Sequence, residues 1–387
     1  MRRTRSMLIV HAGARYWYRC EMVTRNRGRI TMGRKISRRK VLAAGVASCG
    51  MFAGSVRAEN NNKRPYSAGD GWQGTGWTRG PNRDLVKDLK PGPTPIRLAC
   101  SSPDTRLWYP EKMSITEAVK KIRDAGYTST GVAHGPGKRN KWLDATDADI
   151  KELKEALKKY DVVFFDMMTW DNIIHPDSAV RRESIRHVTE NVEAAEKCGA
   201  LSICAGFGSR DPDYGLGMNP DNWTEETWKL GVDAVKQILR DTAGYKAVLG
   251  MEPVVTTPLD GPEALKRVIE DVGDPRCKIT LDCTNMFTVA NYYHSTEMLN
   301  WSFDLLGEDI ISCHGKDTFI ARDKMLVIME MKPAGQGMQD YETYLARMSR
   351  MKWPRTLLLE FAQPEEYPAA KAFVEKTAAK VGVKIYK

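Results

Sequence analysis

The 387-residue chain contains no C-x-x-C pair, and its eight cysteines are not spaced as a framework. A thiolate zinc site and a disulfide-stapled scaffold are therefore not indicated. Cys204, Cys283 and Cys313 fall in strand-like runs and Cys100 and Cys198 near element ends, as small buried hydrophobes do. No run of 18 apolar residues occurs, so no membrane-spanning helix is expected. No G-x-G-x-x-G follows the first strand-like run, which counts against a dinucleotide-binding sheet. Acidic residues are nearly missing from one region only. Residues 1–58 hold 14 of the 59 basic residues and one of the 49 acids, Glu21. The rest has 45 basic and 48 acidic residues, so the formal charge of +10 belongs to the leader and is no nucleic-acid footprint.

Within that basic region, Arg34–Lys40 precedes the mildly apolar, Ala/Gly-rich stretch Val41–Val56. A charged start, a short apolar middle and small residues at the end describe a signal peptide. Ser37-Arg38-Arg39-Lys40-Val41-Leu42 resembles the twin-arginine export signal, with cleavage after Ala58. That implies an exported, periplasmic protein with no stable membrane insertion once the signal is removed. A rival is Val46-Ala47-Ser48-Cys49, which resembles a lipobox and would leave Cys49 lipid-anchored. Residues 1–31 read as an upstream extension, with Met32 as an alternative start. Residues 59–92 read as a polar linker or arm, with Trp72 and Trp77 pinning part of it.

From residue 93 the pattern becomes regular. Strand-like runs at Ile96–Ser101, Ser129–His134, Asp161–Thr169 and Ala200–Gly206 alternate with helix-like segments. Ser114 and Glu117 form a capping box, Asp147–Tyr160 is amphipathic, and Ser178–Cys198 is closed by Gly199. Four more runs follow at Val248–Pro253, Lys278–Cys283, Ile310–Asp317 and Thr356–Phe361, with helices expected over Pro262–Val272, about Thr296–Leu306, Gln339–Met351 and Glu365–Val381. Eight strand–helix units over residues 93–387 predict an α/β fold, a (β/α)8 TIM barrel. A doubly wound open sheet is the alternative.

The last four runs each end on a side chain able to hold a metal: Glu252, Asp282, His314 and Glu360, at intervals of 30, 32 and 46 residues. About 30 residues or more is one strand plus one crossover helix, so four consecutive parallel strands would bring these groups to one rim. Three carboxylates and an imidazole suit a hard divalent cation, Mn2+ first, with Mg2+, Co2+ or Zn2+ as alternatives.

These residues carry a resemblance. Residues from about Pro95 onward are similar to the xylose isomerase-like superfamily, within it to the sugar phosphate isomerase/epimerase group that includes the D-tagatose 3-epimerases. His314-Gly315-Lys316-Asp317 resembles that group's H-x-K-D, and Gly335-Gln336-Gly337 its G-x-G. The resemblance implies one divalent metal on Glu252, Asp282, His314 and Glu360, and α-proton abstraction from a small carbohydrate through a metal-stabilised enediolate. Glu252 and Glu360 are then the catalytic pair. The same site serves isomerase, epimerase or, if a β-substituent leaves, lyase chemistry on 3-keto-glycosides. One position departs: the epimerases carry a substrate-contacting histidine three residues after the metal aspartate, where this chain has Asn285.

Other expected substrate contacts are His134, Asn285, Lys316, Trp170 and Arg210, with the metal-site carboxylates as the alternative partner of Lys316 and with Asp166 also near the rim. His294 with Tyr292 and Tyr293 is expected over the pocket, whereas His175 reads as a loop residue and His187 as a helix-surface one. Competing readings are a non-catalytic sugar-binding barrel and endonuclease IV-like DNA repair. The latter needs three zinc ions and more histidines than the five beyond residue 58, and the body is mildly acidic. The partner expected is therefore a small carbohydrate and not nucleic acid, with a homo-oligomer left open.

Overall fold

The computed structural model describes residues 90–101, 113–134, 140–351 and 355–387. The twin-arginine-like motif, Cys49, the cleavage point after Ala58, and Trp72 and Trp77 of the arm lie outside them, as do the side chain of His134 and the glycine-rich residues after it.

Strands β1 (Ile96–Cys100), β2 (Ser129–His134), β3 (Val163–Thr169), β4 (Ser202–Ala205), β5 (Val248–Met251), β6 (Cys277–Leu281) and β7 (Ile310–Ile320) are joined by β8 (Met329–Pro333) and β9 (Arg355–Leu359). All except β8 run parallel, in the order β1-β9-β7-β6-β5-β4-β3-β2. The circle closes between β1 and β2, where Thr128 N–H donates to the Leu98 carbonyl at 3.2 Å and Arg97 Nη1 to that of Thr128 at 3.0 Å. This is the expected TIM barrel, with each strand buried between the axis and a layer of helices.

The helices are α1 (Ile115–Asp124), α2 (Asp147–Tyr160), α3 (Ser178–Cys198), α4 (Glu225–Asp241), α5 (Pro262–Val272), α6 (Ser295–Leu306), α7 (Tyr341–Ser349) and α8 (Tyr367–Lys380). Local chemistry sets their ends. Ser114 and Glu117 make the reciprocal cap of α1, and Thr146 with Asp149 does the same for α2. Gly199 ends α3 with φ 75°, a conformation that glycine adopts without the usual Cβ penalty. Each helix turns an apolar stripe inward; in α5 it is Ala264, Leu265, Val268 and Val272. The six described cysteines are all buried and are not joined in disulfides.

The unexpected element is β8. The seventh strand does not stop at Asp317 but runs on to Ile320 and turns back, so that β8 pairs antiparallel with its far half, Lys316 opposite Pro333. Its sequence, Met329-Glu330-Met331-Lys332-Pro333, gives a weak apolar period, and Glu330 and Met331, on opposite faces, are both exposed.

Polar pairs stand among the strands beside a small buried apolar group of Ala99, Met168, Cys204 and Leu358. Ser312 Oγ donates to Thr280 Oγ1 at 3.0 Å, and Ser202 Oγ to Asp166 Oδ1 at 3.0 Å. A Cβ at Gly250 would come within 2.4 Å of Thr280 Oγ1, so the axis has no room for more.

Candidate active site

Glu252, Asp282 and Glu360 are the first residues past β5, β6 and β9, and His314 lies within β7. All four are buried, and one ligand-type atom from each lies within 4.8 Å of the others. His314 Nδ1 is 3.1 Å from Glu252 Oε1, 3.5 Å from Asp282 Oδ2 and 3.5 Å from Glu360 Oε2. Side chains 108 residues apart in sequence thus meet at one point because consecutive parallel strands end at one rim.

Lys316, two residues beyond His314 on the same face of β7, completes the group. It is buried, with Nζ 2.5 Å from Asp282 Oδ2, 3.1 Å from Glu360 Oε2 and 4.5 Å from the centre of the Phe361 ring. Burial alone would raise the Asp282 carboxyl, but Lys316 and His314 outweigh it and hold Asp282 below the usual carboxylate range. Burial would likewise lower Lys316 and His314, yet the surrounding carboxylates drive both upward. Glu252 moves opposite to Asp282: burial raises it despite His314.

Charge decides what fits here. Three carboxylates against one ammonium leave two negative charges sealed from water, which protonation of His314, driven upward by these same carboxylates, offsets only in part. A divalent cation beside a neutral His314 would balance the group, and carboxylates with an imidazole are ligands able to hold one.

The glutamate at the end of β5 is held on both oxygens. Asn285 Nδ2 donates to Glu252 Oε1 at 3.0 Å, and Cys204 Sγ donates to Oε2 at 2.9 Å. Burial and the neighbouring carboxylates keep the Cys204 thiol far above its ordinary pKa, so it stays a donor. Asp166 lies buried on β3; one of its oxygens is within 4.8 Å of Cys204 Sγ and a ring nitrogen of His314. Burial pushes its carboxyl up to about 7.

Of the expected contacts, Lys316 and Asn285 are brought to the cluster, Asn285 onto Glu252 itself. Trp170 borders a small cavity shared with Glu252. Arg210 is turned elsewhere, its guanidinium donating to the Ile174 carbonyl at 2.8 Å. His134 ends β2 at the same rim. The reading of His187 as a surface residue is corrected: it is buried on α3, with Nδ1 3.2 Å from Asp171 Oδ1. The segment holding Tyr292, Tyr293 and His294 does not simply cover the pocket. The Tyr292 hydroxyl accepts the Ile320 N–H at 3.2 Å and so ties this segment to β7, while Tyr293 is exposed. Cys204 and Asp171 were missed. Asp171 had a signal, a carboxylate just past a strand end, but Cys204 had none beyond a place in a buried run.

The H-G-K-D and G-Q-G motifs form one device. Asp317 points away from the cluster and accepts the N–H groups of Thr318 (3.1 Å), Gly335 (3.1 Å) and Gln339 (2.9 Å). A Cβ at Gly337 would fall 2.2 Å from the Thr318 carbonyl. Asp317→Ala leaves buried N–H groups unpaired and should cost about 2–4 kcal/mol. The test is denaturant unfolding; a variant as stable as the parent would show that the carboxylate holds nothing.

A sequence profile described as the xylose isomerase-like TIM barrel matches residues 119–377. No curated protein matches the chain. Among solved structures, a D-tagatose 3-epimerase-like protein is 16% identical at a TM-score of 0.53, covering 74% of this chain and 98% of its own. The 3-keto-D-glucoside 4-epimerase from E. coli is 14% identical at 0.52, covering 73% and 99%. A xylose isomerase-like TIM barrel protein from Mycobacterium smegmatis in complex with magnesium is 12% identical at 0.53, covering 74% and 97%. At these identities the likeness is one of fold.

Proposed function

Because this chain belongs to the xylose isomerase-like TIM barrel family, we propose that it is a divalent-metal-dependent isomerase or epimerase of small carbohydrates. The observation that carries the reading is the buried convergence of Glu252, Asp282, His314 and Glu360 on one point. Those four residues would hold the cation, which when bound supplies Lewis-acid polarisation of a carbonyl and the hydroxyl beside it.

The proton transfer belongs to the protein. Glu252, with both oxygens oriented by Asn285 and Cys204 and its carboxyl raised by burial, is suited to take the α-proton of the substrate and give it back. Glu360, on β9's end, is the second carboxylate. If it returns the proton on the far face, the carbon is inverted; if one glutamate returns it to the adjacent carbon, the sugar is isomerised. Lys316 anchors Asp282 and Glu360 so that neither drifts when charge moves. A lyase reading stands beside this one on a single observation: Asn285, which occupies the position of the epimerases' histidine, is bonded to Glu252 at 3.0 Å. Export through the twin-arginine-like leader is part of the proposal, and places the activity in the periplasm.

NMR of sugars and keto-sugars incubated with Mn2+-loaded protein in D2O, after removal of metal and protein, tests the reaction. Deuterium at a carbon beside a carbonyl is expected, and a β-substituent lost with it would identify a lyase. No exchange with any sugar would overturn the catalytic reading in favour of a binding barrel.

Cation binding has its own readout. At 100 times its dissociation constant a ligand of the native state adds about 2.7 kcal/mol, which for a domain of this size raises Tm by roughly 5–10 °C. Thermal unfolding with Mn2+ and with chelator should show that gap, and Asp282→Asn should close it. Equal Tm values for the parent under both conditions would count against a metal site.

A further inference from the structure

The parallel strands close into a circle, but among the described residues β8 pairs with β7 alone. The backbone shows which groups lie on its open side. In β7 the Thr318 N–H goes to Asp317 Oδ1 and the Ile320 N–H to the Tyr292 hydroxyl, so neither faces β8. The ladder bonds therefore fall on the alternate pairs, Asp317 with Lys332 and Phe319 with Glu330. The Ala321 N–H keeps this phase, donating to the Ile328 carbonyl at 3.1 Å. The N–H and C=O groups of Met329 and Met331 are left on the outer edge.

The surface around that edge is apolar. Met325, Leu326, Val327 and Ile328 follow one another at the hairpin tip and are all exposed, Met325 at 97% and Leu326 at 74%. Met331 is exposed as well. An open strand edge beside a run of exposed apolar residues is what a lone subunit avoids and what a contact surface presents.

We propose that β8 pairs with β8 of a second copy of this chain, antiparallel and about a twofold axis at Met331. Charge selects both the occupant and the register. Glu330 and Lys332 share one face of β8, with Lys332 Nζ 2.8 Å from Glu330 Oε2. With the axis at Met331, Glu330 of each copy stands opposite Lys332 of the other. An axis at Glu330 or at Lys332 would set like charges face to face, and one at Met329 would put Glu330 against Ile328. In the chosen register the two Met331 residues exchange both backbone bonds. Each Met329 N–H meets Pro333 of the other copy, whose carbonyl accepts the Gln336 N–H at 3.1 Å and has a second lone pair to give. Proline has no N–H to return, so the ladder ends there. Each copy has used its open edge, and growth stops at two. Exposed ion pairs add little affinity; they fix register, while the backbone bonds and the apolar tip supply the attraction. This pairing does not depend on the carbohydrate chemistry.

Sedimentation velocity of the full chain over a concentration series tests it, with Tm recorded to show that each variant is folded. The parent is expected at twice the 43.6 kDa of one chain. Met331→Pro removes the outward N–H and leaves the β7 ladder whole, since proline is tolerated where a strand's N–H faces outward; it should weaken the dimer by ~10–100-fold. Lys332→Glu sets like charges across the axis and should weaken it by ~10-fold. Adding Glu330→Lys to Lys332→Glu restores opposite charges and should bring the dissociation constant back to within ~3-fold of the parent. Should Met331→Pro fail to fold, the charge exchange decides alone. A parent that stays monomeric throughout the series would overturn the pairing, with something other than a second copy on the edge. So would a dimer that no variant weakens, or a Lys332→Glu loss that the double exchange does not restore.

Discussion

Replacing Glu252 by glutamine should reduce turnover by ~10²–10⁴-fold, the range that a positioned general acid–base contributes. The substitution is chosen because it isolates the proton. Glutamine keeps an oxygen where Glu252 Oε1 lies 3.1 Å from His314 Nδ1, and its size matches the space between Asn285 and Cys204. What it loses is the ability to take a proton, together with one negative charge beside the cation position. Cation affinity should therefore fall as well, and turnover is to be compared at saturating Mn2+ so that the two losses separate. Glu360→Gln gives the matching measurement. If both glutamates transfer protons, each variant loses turnover, and substrate exchange with D2O distinguishes them: the one that abstracts loses exchange and epimerisation together. Full activity of metal-saturated Glu252→Gln would remove this residue from the chemistry.

Most of the barrel can be read from the chain because its helices declare themselves locally. The capping box at Ser114 and Glu117, the span Asp147–Tyr160 and the closure of α3 at Gly199 are set by nearest neighbours, and all three stand in the structure as the sequence implies. Strand ends are less legible. Cys277–Leu281 and Val248–Met251 stop before Asp282 and Glu252, since the last ladder bond depends on where the adjacent strand stops. The meeting of Glu252, Asp282, His314 and Glu360 was legible because strand spacing in a parallel barrel converts sequence interval into rim position. The β7–β8 hairpin was not, since a largely exposed strand carries Glu330 and Lys332 where a buried one would show an apolar run. Nor was the state of His187, a type common on surfaces, whose burial follows from Asp171, a partner 16 residues away. Lys316 was legible, since its place in H-G-K-D puts it on the carboxylates Asp282 and Glu360.

Lys316→Met should produce the largest loss of stability of any substitution in the site. The ammonium is 1% exposed and touches two carboxylates, Asp282 at 2.5 Å and Glu360 at 3.1 Å. Methionine fills similar space, so packing against Phe361 is largely kept, but three carboxylates are left buried around one imidazole. Breaking a buried pair by removing one partner costs about 3–5 kcal/mol, or roughly 6–20 °C in Tm for a domain of this size. The pH dependence has a defined sign. Asp282 is held below its ordinary value, so its contribution is present above about pH 4 and is lost as pH falls through its folded-state value. Lys316 is raised, so its contribution is complete below about pH 10 and is lost only as pH rises beyond that. Between those limits this pair adds no slope of its own, and a change in the gap across neutral pH would come from Glu252, which Lys316 holds down against burial. In chelator the gap is widest, because only His314 is left to offset the charge; with Mn2+ bound, the cation takes over part of what Lys316 supplied and the gap narrows. Calorimetric unfolding of parent and Lys316→Met at several pH values, with chelator and with Mn2+, measures all of this. A variant no less stable than the parent in chelator would mean that Lys316 does not neutralise the cluster, and the charge argument for a divalent cation would lose its footing.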